Sequence, residues 1–183
     1  MRGPNHIATG VATAVVLADS YFLIQSAPDY TVPKLMVTDI IQTLTDTILP
    51  LWVYIPLGIF LYLLGLLLPD IDCEYSTLGK KFYLPIGHRT WLHSIWFVLI
   101  FGIASIWIRV FFFLAFGIFT HLFFDSFSRS GVKWFYPLRN RHHKLKLYHT
   151  SNVSEYICMG IVVALAVIYS VFTIQHIYHI FPI

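Results

Sequence analysis

The sequence predicts an all-α integral membrane protein, and three observations support this fold class. Of the 183 residues, 57% are hydrophobic and only 11% are charged, whereas a soluble domain carries about a quarter charged residues. The mean hydropathy is +0.71. Several apolar runs approach the roughly 20 residues that a helix needs to cross the hydrocarbon core of a bilayer. We therefore expect one membrane-embedded domain over residues 1–183, without a separate soluble domain.

Five apolar segments are predicted as membrane helices. Four segments are clear: Ile48–Pro69, Leu92–Ile108, Val110–Phe127 and Tyr156–Ile177. A weaker N-terminal segment, His6–Leu23, is rich in Ala, Val and Thr. Because Arg2 precedes a run with small residues, the N-terminal segment could also be a signal peptide. It has only one charge before the apolar run and no clear small-x-small cleavage site. We therefore predict it to be the first helix of a five-helix bundle.

Basic residues divide unequally between the two sides of this bundle. Alternating helices place the N-terminus and the Asp70–Trp91 and Ser128–Glu155 loops on one side. Of the 12 Lys and Arg residues, only Lys34 and Arg109 fall on the other side. Positive charge marks the cytoplasmic face of a membrane protein, which predicts a multi-pass protein of the inner membrane. The same loops account for the net charge of +3, so we expect no nucleic-acid partner.

All five predicted helices bring His or acidic residues to the predicted cytoplasmic face. Ionisable groups at a membrane boundary cost free energy unless they are paired, hydrated or bound to an ion. His121 and Asp125, at positions i and i+4, project from one helix face, and imidazoles with carboxylates are ligands of divalent metals. We predict a site for divalent metal ions, with zinc favoured and manganese or magnesium as alternatives. The predicted ligands are His6, Asp70, Asp72, His88, His93, His121 and Asp125.

Each motif alone has a simpler interpretation. His121 and Asp125 could solvate a helix end, and Asp70 and Asp72 could cap a helix that Pro69 breaks. The stretch GHRTWLHS could be a basic interfacial anchor. Chance would scatter such residues over both faces of the membrane, whereas here they share one face. The combination therefore favours a metal site.

Five motifs, in this order along nearly the whole chain, carry a family resemblance: NHIATG, LPDIDCEYSTLG, GHRTWLHS, THLFFDSFSRSGVKWFYP and SNVSEYICM. Together they resemble the YdjM-type family of bacterial and archaeal inner-membrane proteins, described as LexA-regulated or metal-dependent hydrolases. The family pattern falls on His6, Asp70, Asp72, Ser76, His88, Arg89, His93, Ser94, His121, Asp125, Gly131, Pro137, Asn152 and Glu155. More distantly, the histidine and acidic pattern looks like the zinc-dependent phospholipase C and P1 nuclease group, which hydrolyses phosphate esters.

The resemblance and the metal site together predict a membrane-embedded, metal-dependent hydrolase. Its expected substrate is a lipid or lipid-linked phosphoester at the cytoplasmic face. Either Asp72 or Glu155 would act as general base, and Arg89 would bind the phosphate and stabilise developing charge. The residues expected to orient the ligands are Ser76, Ser94 and Asn152.

Two other classes of function compete with the hydrolase. One is a membrane protein with a structural or transported metal ion, although a transporter usually places its polar residues near the bilayer midplane. The other is a membrane scaffold whose basic loop, Arg129–Lys146, anchors the chain and gathers anionic lipids. A membrane lipid is the predicted partner, and the sequence does not fix an oligomeric state.

Overall fold

The computed structural model describes residues 3–26 and 49–180, and these form an all-α bundle. The helices are α1 (Gly3–Ser26), α2 (Leu51–Gly65), α3 (Gly79–Phe82), α4 (Ile95–Ala104), α5 (Phe111–Ser126) and α6 (Val153–Ile180). Two 3₁₀ turns, Leu68–Asp72 and Trp91–His93, precede α3 and α4. Within the described ranges there are two isolated β-bridges and no strand. Arg2 and Lys34, which entered the prediction of the two membrane sides, lie outside those ranges.

Among the described residues, two helices are long and apolar enough to cross a membrane. They are α1, with 24 residues, and the Val153–His176 part of α6, also with 24 residues. Only 17% and 11% of their most apolar windows are buried within the protein, whereas the core helix of a soluble protein is mostly buried. Their apolar side chains therefore face the surroundings of the protein, as lipid-facing helices require.

Three predicted membrane helices are shorter than expected. Helices α2, α4 and α5 have 15, 10 and 16 residues, or about 22, 15 and 24 Å at about 1.5 Å per residue. A hydrocarbon core is about 30 Å thick. The largest difference falls in Leu92–Ile108, where Ser94 is extended before α4 and the Ser105 hydroxyl bonds to the Gly102 carbonyl oxygen at its end. Helix length thus does not confirm five crossings.

Helix α5 lies at the centre of the bundle, packed against α2 and α4, while α1 packs against α6. Two glycines allow α2 and α5 to approach closely. A Cβ atom on Gly65 would lie 2.5 Å from the Leu114 carbonyl oxygen, and one on Gly117 would lie 2.3 Å from the Tyr62 carbonyl oxygen. Small residues permit such close backbone contact between membrane helices. The Tyr62 hydroxyl also donates to the Gly10 carbonyl oxygen of α1 at 2.9 Å, which ties α1 to the same centre.

The basic loop Arg129–Lys146 packs against the bundle more closely than a surface anchor would. Val132 is fully buried in the core and exchanges backbone hydrogen bonds of 3.0 and 2.8 Å with His143. The Trp134 indole donates to the Ser126 hydroxyl at 2.9 Å. The backbone carbonyl oxygen of Trp134 accepts a hydrogen bond from the backbone N–H of Ile95. This loop therefore links the starts of α4 and the end of α5 beneath the predicted site.

Candidate metal centre

The first group of predicted ligands projects from two long helices. His6 lies in the second turn of α1, and His121 and Asp125 lie at the end of α5. All three side chains are buried. His6 Nε2 lies 3.3 Å from Asp125 Oδ1, and the His6 and His121 rings stack with centroids 3.7 Å apart. His6, His121 and Asp125 therefore form a compact helix-borne group whose ligand atoms could hold a metal ion.

The second group comes from the two 3₁₀ turns and the loop between them. It contains Asp70, Asp72, His88 and His93, whose ligand atoms also lie close enough to hold an ion. Asp72 bridges the two histidines, with Oδ1 2.6 Å from His88 Nδ1 and Oδ2 3.3 Å from His93 Nδ1. A carboxylate on the second ring nitrogen is the usual partner of a metal-binding histidine, because it fixes the orientation of the ring. We refer to these four residues as the turn-borne group.

The helix-borne and turn-borne groups meet at four atoms. His93 Nε2 lies 3.5 Å from Asp70 Oδ1 and 3.9 Å from Asp125 Oδ2. His121 Nε2 lies 3.6 Å from Asp70 Oδ1 and 3.8 Å from Asp125 Oδ2. Ligands bound at about 2.1 Å around a tetrahedral ion are about 3.4 Å apart. Two imidazoles and two carboxylates are thus spaced as the ligands of one divalent ion would be.

Several buried ring nitrogens in this centre make no well-directed hydrogen bond to the described residues, although four of the five lie 3.3–3.6 Å from carboxylate oxygens. They are both ring nitrogens of His6, both of His93, and Nε2 of His121. The other nitrogen of His121 lies 2.8 Å from the Leu66 carbonyl oxygen, so Nδ1 carries the proton and the Nε2 lone pair points into the centre. Buried polar atoms without partners are costly. A cation between Asp70 and Asp125 would satisfy His93 Nε2 and His121 Nε2, the two nitrogens that face these carboxylates, and the residues therefore fit a bound metal.

The two aspartates of the first turn and His93 of the second stabilise one another's charged forms. Burial acts to raise the pKa of Asp70, but the nearby His121 and His93 imidazoles hold it below its usual range. Burial likewise acts against the charged form of Asp72, but the hydrogen bond with His88 and the nearby His93 imidazole lower its pKa. His93, which precedes α4, would have a lowered pKa from burial alone, but the Asp70 and Asp72 carboxylates raise it to about 9. A metal ion that binds His93 must displace this proton, so metal binding there would depend on pH.

Arg89 connects the two groups. Its guanidinium lies 3.3 Å from Asp125 Oδ2 and donates to the Gly131 carbonyl oxygen at 2.9 Å. Its backbone N–H donates to Asp72 Oδ2 at 3.2 Å. The φ angle of 61° is left-handed, a conformation that costs a non-glycine residue free energy and persists where surrounding contacts impose it. Arg89 is therefore fixed beside the metal centre, as its predicted role requires.

Glu155, predicted as a possible general base, is engaged in structural contacts. Its buried carboxylate accepts a hydrogen bond of 2.7 Å from the Asn5 side-chain amide and another from the backbone N–H of Ser151. Asn5 belongs to α1 and Glu155 to α6, so this contact positions His6. Sequence reasoning missed Asn5, although it stands next to His6 in the NHIATG motif. The catalytic role of Glu155 stays a prediction.

The three predicted orienting residues bond to the backbone. Ser76 donates to the Asp70 carbonyl oxygen at 2.6 Å, and Ser94 donates to the Trp91 carbonyl oxygen at 2.7 Å. Asn152 Oδ1 accepts the N–H of Val153 at the start of α6. Each residue fixes the backbone that carries a candidate ligand or Glu155, and none of these three bonds reaches a ligand side chain. Their effect on the centre is thus indirect.

The fold and the site define an all-α membrane protein with a buried histidine and aspartate centre able to hold a metal ion. The chain belongs to the YdjM inner membrane protein family, which it matches over residues 1–179. It is also similar to the uncharacterized protein YvsG of Bacillus subtilis (strain 168), with 34% identity over 108 residues that cover 52% of this chain and 67% of that protein. No solved structure matches the chain. The more distant similarity to phospholipase C and P1 nuclease stays a prediction.

Proposed function

We propose that this protein is a metal-dependent hydrolase of lipid phosphoesters, embedded in the inner membrane with its active site at the cytoplasmic edge. In this arrangement all five apolar helices insert, and α2, α4 and α5 reach the interfaces through their 3₁₀ turns and flanking loops. The positive charge of the loops around the centre supports the cytoplasmic assignment. Membership of an inner membrane protein family supports the location.

The observation that carries the proposal is the convergence of two groups on one point. His93, His121, Asp70 and Asp125 come from three separate elements, yet neighbouring ligand atoms lie 3.5–3.9 Å apart, including 3.6 and 3.9 Å between the two groups. Two imidazoles with two carboxylates favour zinc, with manganese as the next candidate. His6, whose Nε2 lies beside Asp125, would complete the centre or hold a second ion.

A bound divalent ion would supply a water of lowered pKa and polarise a phosphoryl oxygen. The residues of the chain would do the rest. Arg89 would donate to the phosphate and stabilise the charge that develops on its oxygens. His88, which is 40% exposed and bonded through Nδ1 to Asp72, would accept the proton of the attacking water at its Nε2 and pass it to the leaving-group oxygen as the bond from that oxygen to phosphorus breaks. In this assignment Asp72 orients His88 and His93, a positioning role that replaces the general base expected from sequence.

The location of the centre supports a lipid substrate. Apolar side chains are exposed in the loop beside it, among them Phe82, Tyr83, Leu84 and Ile86. Aromatic residues at such a position are enriched at the membrane interface. A phosphoester at the headgroup level of the bilayer could therefore reach the centre without leaving the membrane.

A structural metal ion is the second candidate function. The complete burial of His6, His93 and His121 is what a closed structural site would show, whereas a catalytic site keeps a position open for water or substrate. The hydrolase and the structural-metal functions predict different results when the metal is removed. A structural ion predicts loss of the fold on chelation without any phosphoester hydrolysis by the loaded protein.

The proposal is tested by metal analysis and lipid assays of the purified protein. We expect about one or more tightly bound ions per chain and release of a phosphorylated or dephosphorylated headgroup from phospholipid vesicles when zinc or manganese is supplied. His88→Gln should abolish most turnover and keep the metal. Less than one ion per chain would contradict the centre, and a loaded protein without activity on any headgroup would contradict the hydrolase.

A further inference from the structure

A cavity of about 600 Å³ opens beside the metal centre. Asp70, His88 and Arg89 contribute to both the centre and the cavity wall. The volume lies within the range of about 300–1,000 Å³ that is typical of small-molecule sites. A cavity that shares three residues with the centre is where the part of a substrate next to the reacting phosphate would lie.

The wall of this cavity has the chemistry of a polyol site with positive charge. Hydroxyl side chains contribute much of it: Tyr75, Ser76, Thr77, Thr150 and Ser151. Lys80 adds an ammonium group that has no ion-pair partner among the described residues. Asp70 is the only carboxylate among the described lining residues, and it faces His93 and His121. The cavity therefore favours an anion that carries hydroxyl groups.

The cavity also adjoins an apolar surface. Tyr75 lines it and is 83% exposed, and Phe82 and Tyr83, in the same connection between α2 and α4, are exposed as well. An amphipathic aromatic side chain at the edge of a cavity with hydroxyl and charged groups suits the boundary between headgroups and acyl chains. A ligand here would keep its polar end in the cavity and its apolar part along this surface.

We infer that this cavity binds the headgroup of an anionic phospholipid whose alcohol is a polyol, the phosphatidylglycerol class, and that Lys80 determines this specificity. The inference rests on the proposed function for the reacting phosphoester. A choline or ethanolamine headgroup would bring its own cation beside Lys80, with no free carboxylate in the wall to receive it. A glycerol headgroup would instead meet the hydroxyl groups and bring no positive charge.

Lys81 provides a matched control. It follows Lys80 in the four-residue helix α3 and is also exposed, but it does not line the cavity. A general attraction to anionic lipid would depend on both lysines alike, since each basic residue near a membrane surface contributes about equally. A specific headgroup site depends on Lys80 alone.

The test is binding of short-chain lipids to the purified, detergent-solubilised protein. Dihexanoyl phosphatidylglycerol should bind more tightly than dihexanoyl phosphatidylcholine. Lys80→Ala should weaken binding of phosphatidylglycerol by about fivefold or more and leave phosphatidylcholine unchanged. Lys80→Arg should retain the preference, and Lys81→Ala should leave both affinities unchanged. Equal losses in Lys80→Ala and Lys81→Ala, or no preference in the unmodified protein, would overturn the inference.

Free glycerol phosphate separates a lipid headgroup from a soluble phosphate ester. It should bind far more weakly than the short-chain lipid, because it has no acyl chains to cover the apolar surface; equal affinity would overturn the lipid assignment. Binding needs no turnover. A preference that depends on Lys80, in a protein without hydrolytic activity, would therefore contradict the proposed function and leave this inference intact. Hydrolysis at the same rate for every headgroup would support the proposed function and contradict this inference.

Discussion

The helix-borne and turn-borne groups of the metal centre differ in how their positions are fixed. His6, His121 and Asp125 are held by long helices and are buried. The turn-borne group includes His88, which is 40% exposed, and depends on two short 3₁₀ turns. The difference indicates that the helices provide rigid ligands, while the turns provide the adjustable groups that face the cavity.

The largest expected effect is on the helix-borne group. Asp125→Asn preserves the size of the side chain but removes the charge that faces His6, His93 and Arg89. We expect metal affinity to fall by more than about 100-fold, since even a residue that only orients a ligand contributes about 10- to 100-fold. The measurement is metal content per purified chain by mass spectrometry.

Asp19→Asn is the matched control for this change. It makes the same substitution in α1, where Asp19 accepts a hydrogen bond from Ser170 of α6 away from the centre. The control should retain its metal. An Asp125→Asn protein with as much bound metal as this control would remove Asp125 from the ligands.

The next effect separates the exposed histidine from the buried ones. His88→Gln should lower kcat by about 100-fold, the usual contribution of a positioned proton-transfer group, and should leave the metal content unchanged. Turnover of a phospholipid and metal content are measured on the same preparation. If the metal were lost together with the activity, His88 would be a ligand, and the turn-borne group would resemble the helix-borne one.

The sequence predicted the residues of both groups, but it predicted the geometry of the helix-borne group more completely than that of the turn-borne group. The spacing of His121 and Asp125 places both on one helix face whatever surrounds them, and the structure brings them together with His6 as expected. The bridge from Asp72 to His88 and His93 depends on 3₁₀ turns and on the left-handed Arg89. No periodicity predicts such contacts, because they are set by tertiary packing rather than by local sequence.

The same distinction holds for the fold. The apolar run Val110–Phe127 became α5, Phe111–Ser126, with each end within one residue of the prediction, because a mostly apolar segment without proline forms one helix. The run Leu92–Ile108 shortened to α4, since hydropathy does not register the extended Ser94 or the turn after Ala104. The buried Val132 of the basic loop was likewise not predicted, because its neighbours in sequence are polar and charged.

A smaller effect is expected for the carboxylate that orients the turn-borne group. Asp72→Asn keeps a polar side chain beside His88 and His93 but removes the charge that fixes their protonated nitrogens. Metal affinity should fall by about 10-fold, within the range for residues one step from a metal, as measured by competition with a chelating dye. A loss as large as that of Asp125→Asn would instead make Asp72 a direct ligand and remove the distinction between the two groups.

The smallest effect is expected at the contact that positions α1. Asn5→Ala removes the amide that donates to Glu155 at 2.7 Å, which leaves a buried carboxylate with one fewer hydrogen bond. Such a loss lowers the free energy of unfolding by about 1–3 kcal/mol. The thermal unfolding midpoint should fall by about 2–4 °C for each kcal/mol lost. His6 would lose a restraint, yet the other ligands come from α5 and the turns, so most of the metal should remain bound. Loss of the metal in Asn5→Ala would show that the rigidity of the helix-borne group depends on the α1–α6 contact rather than on α5.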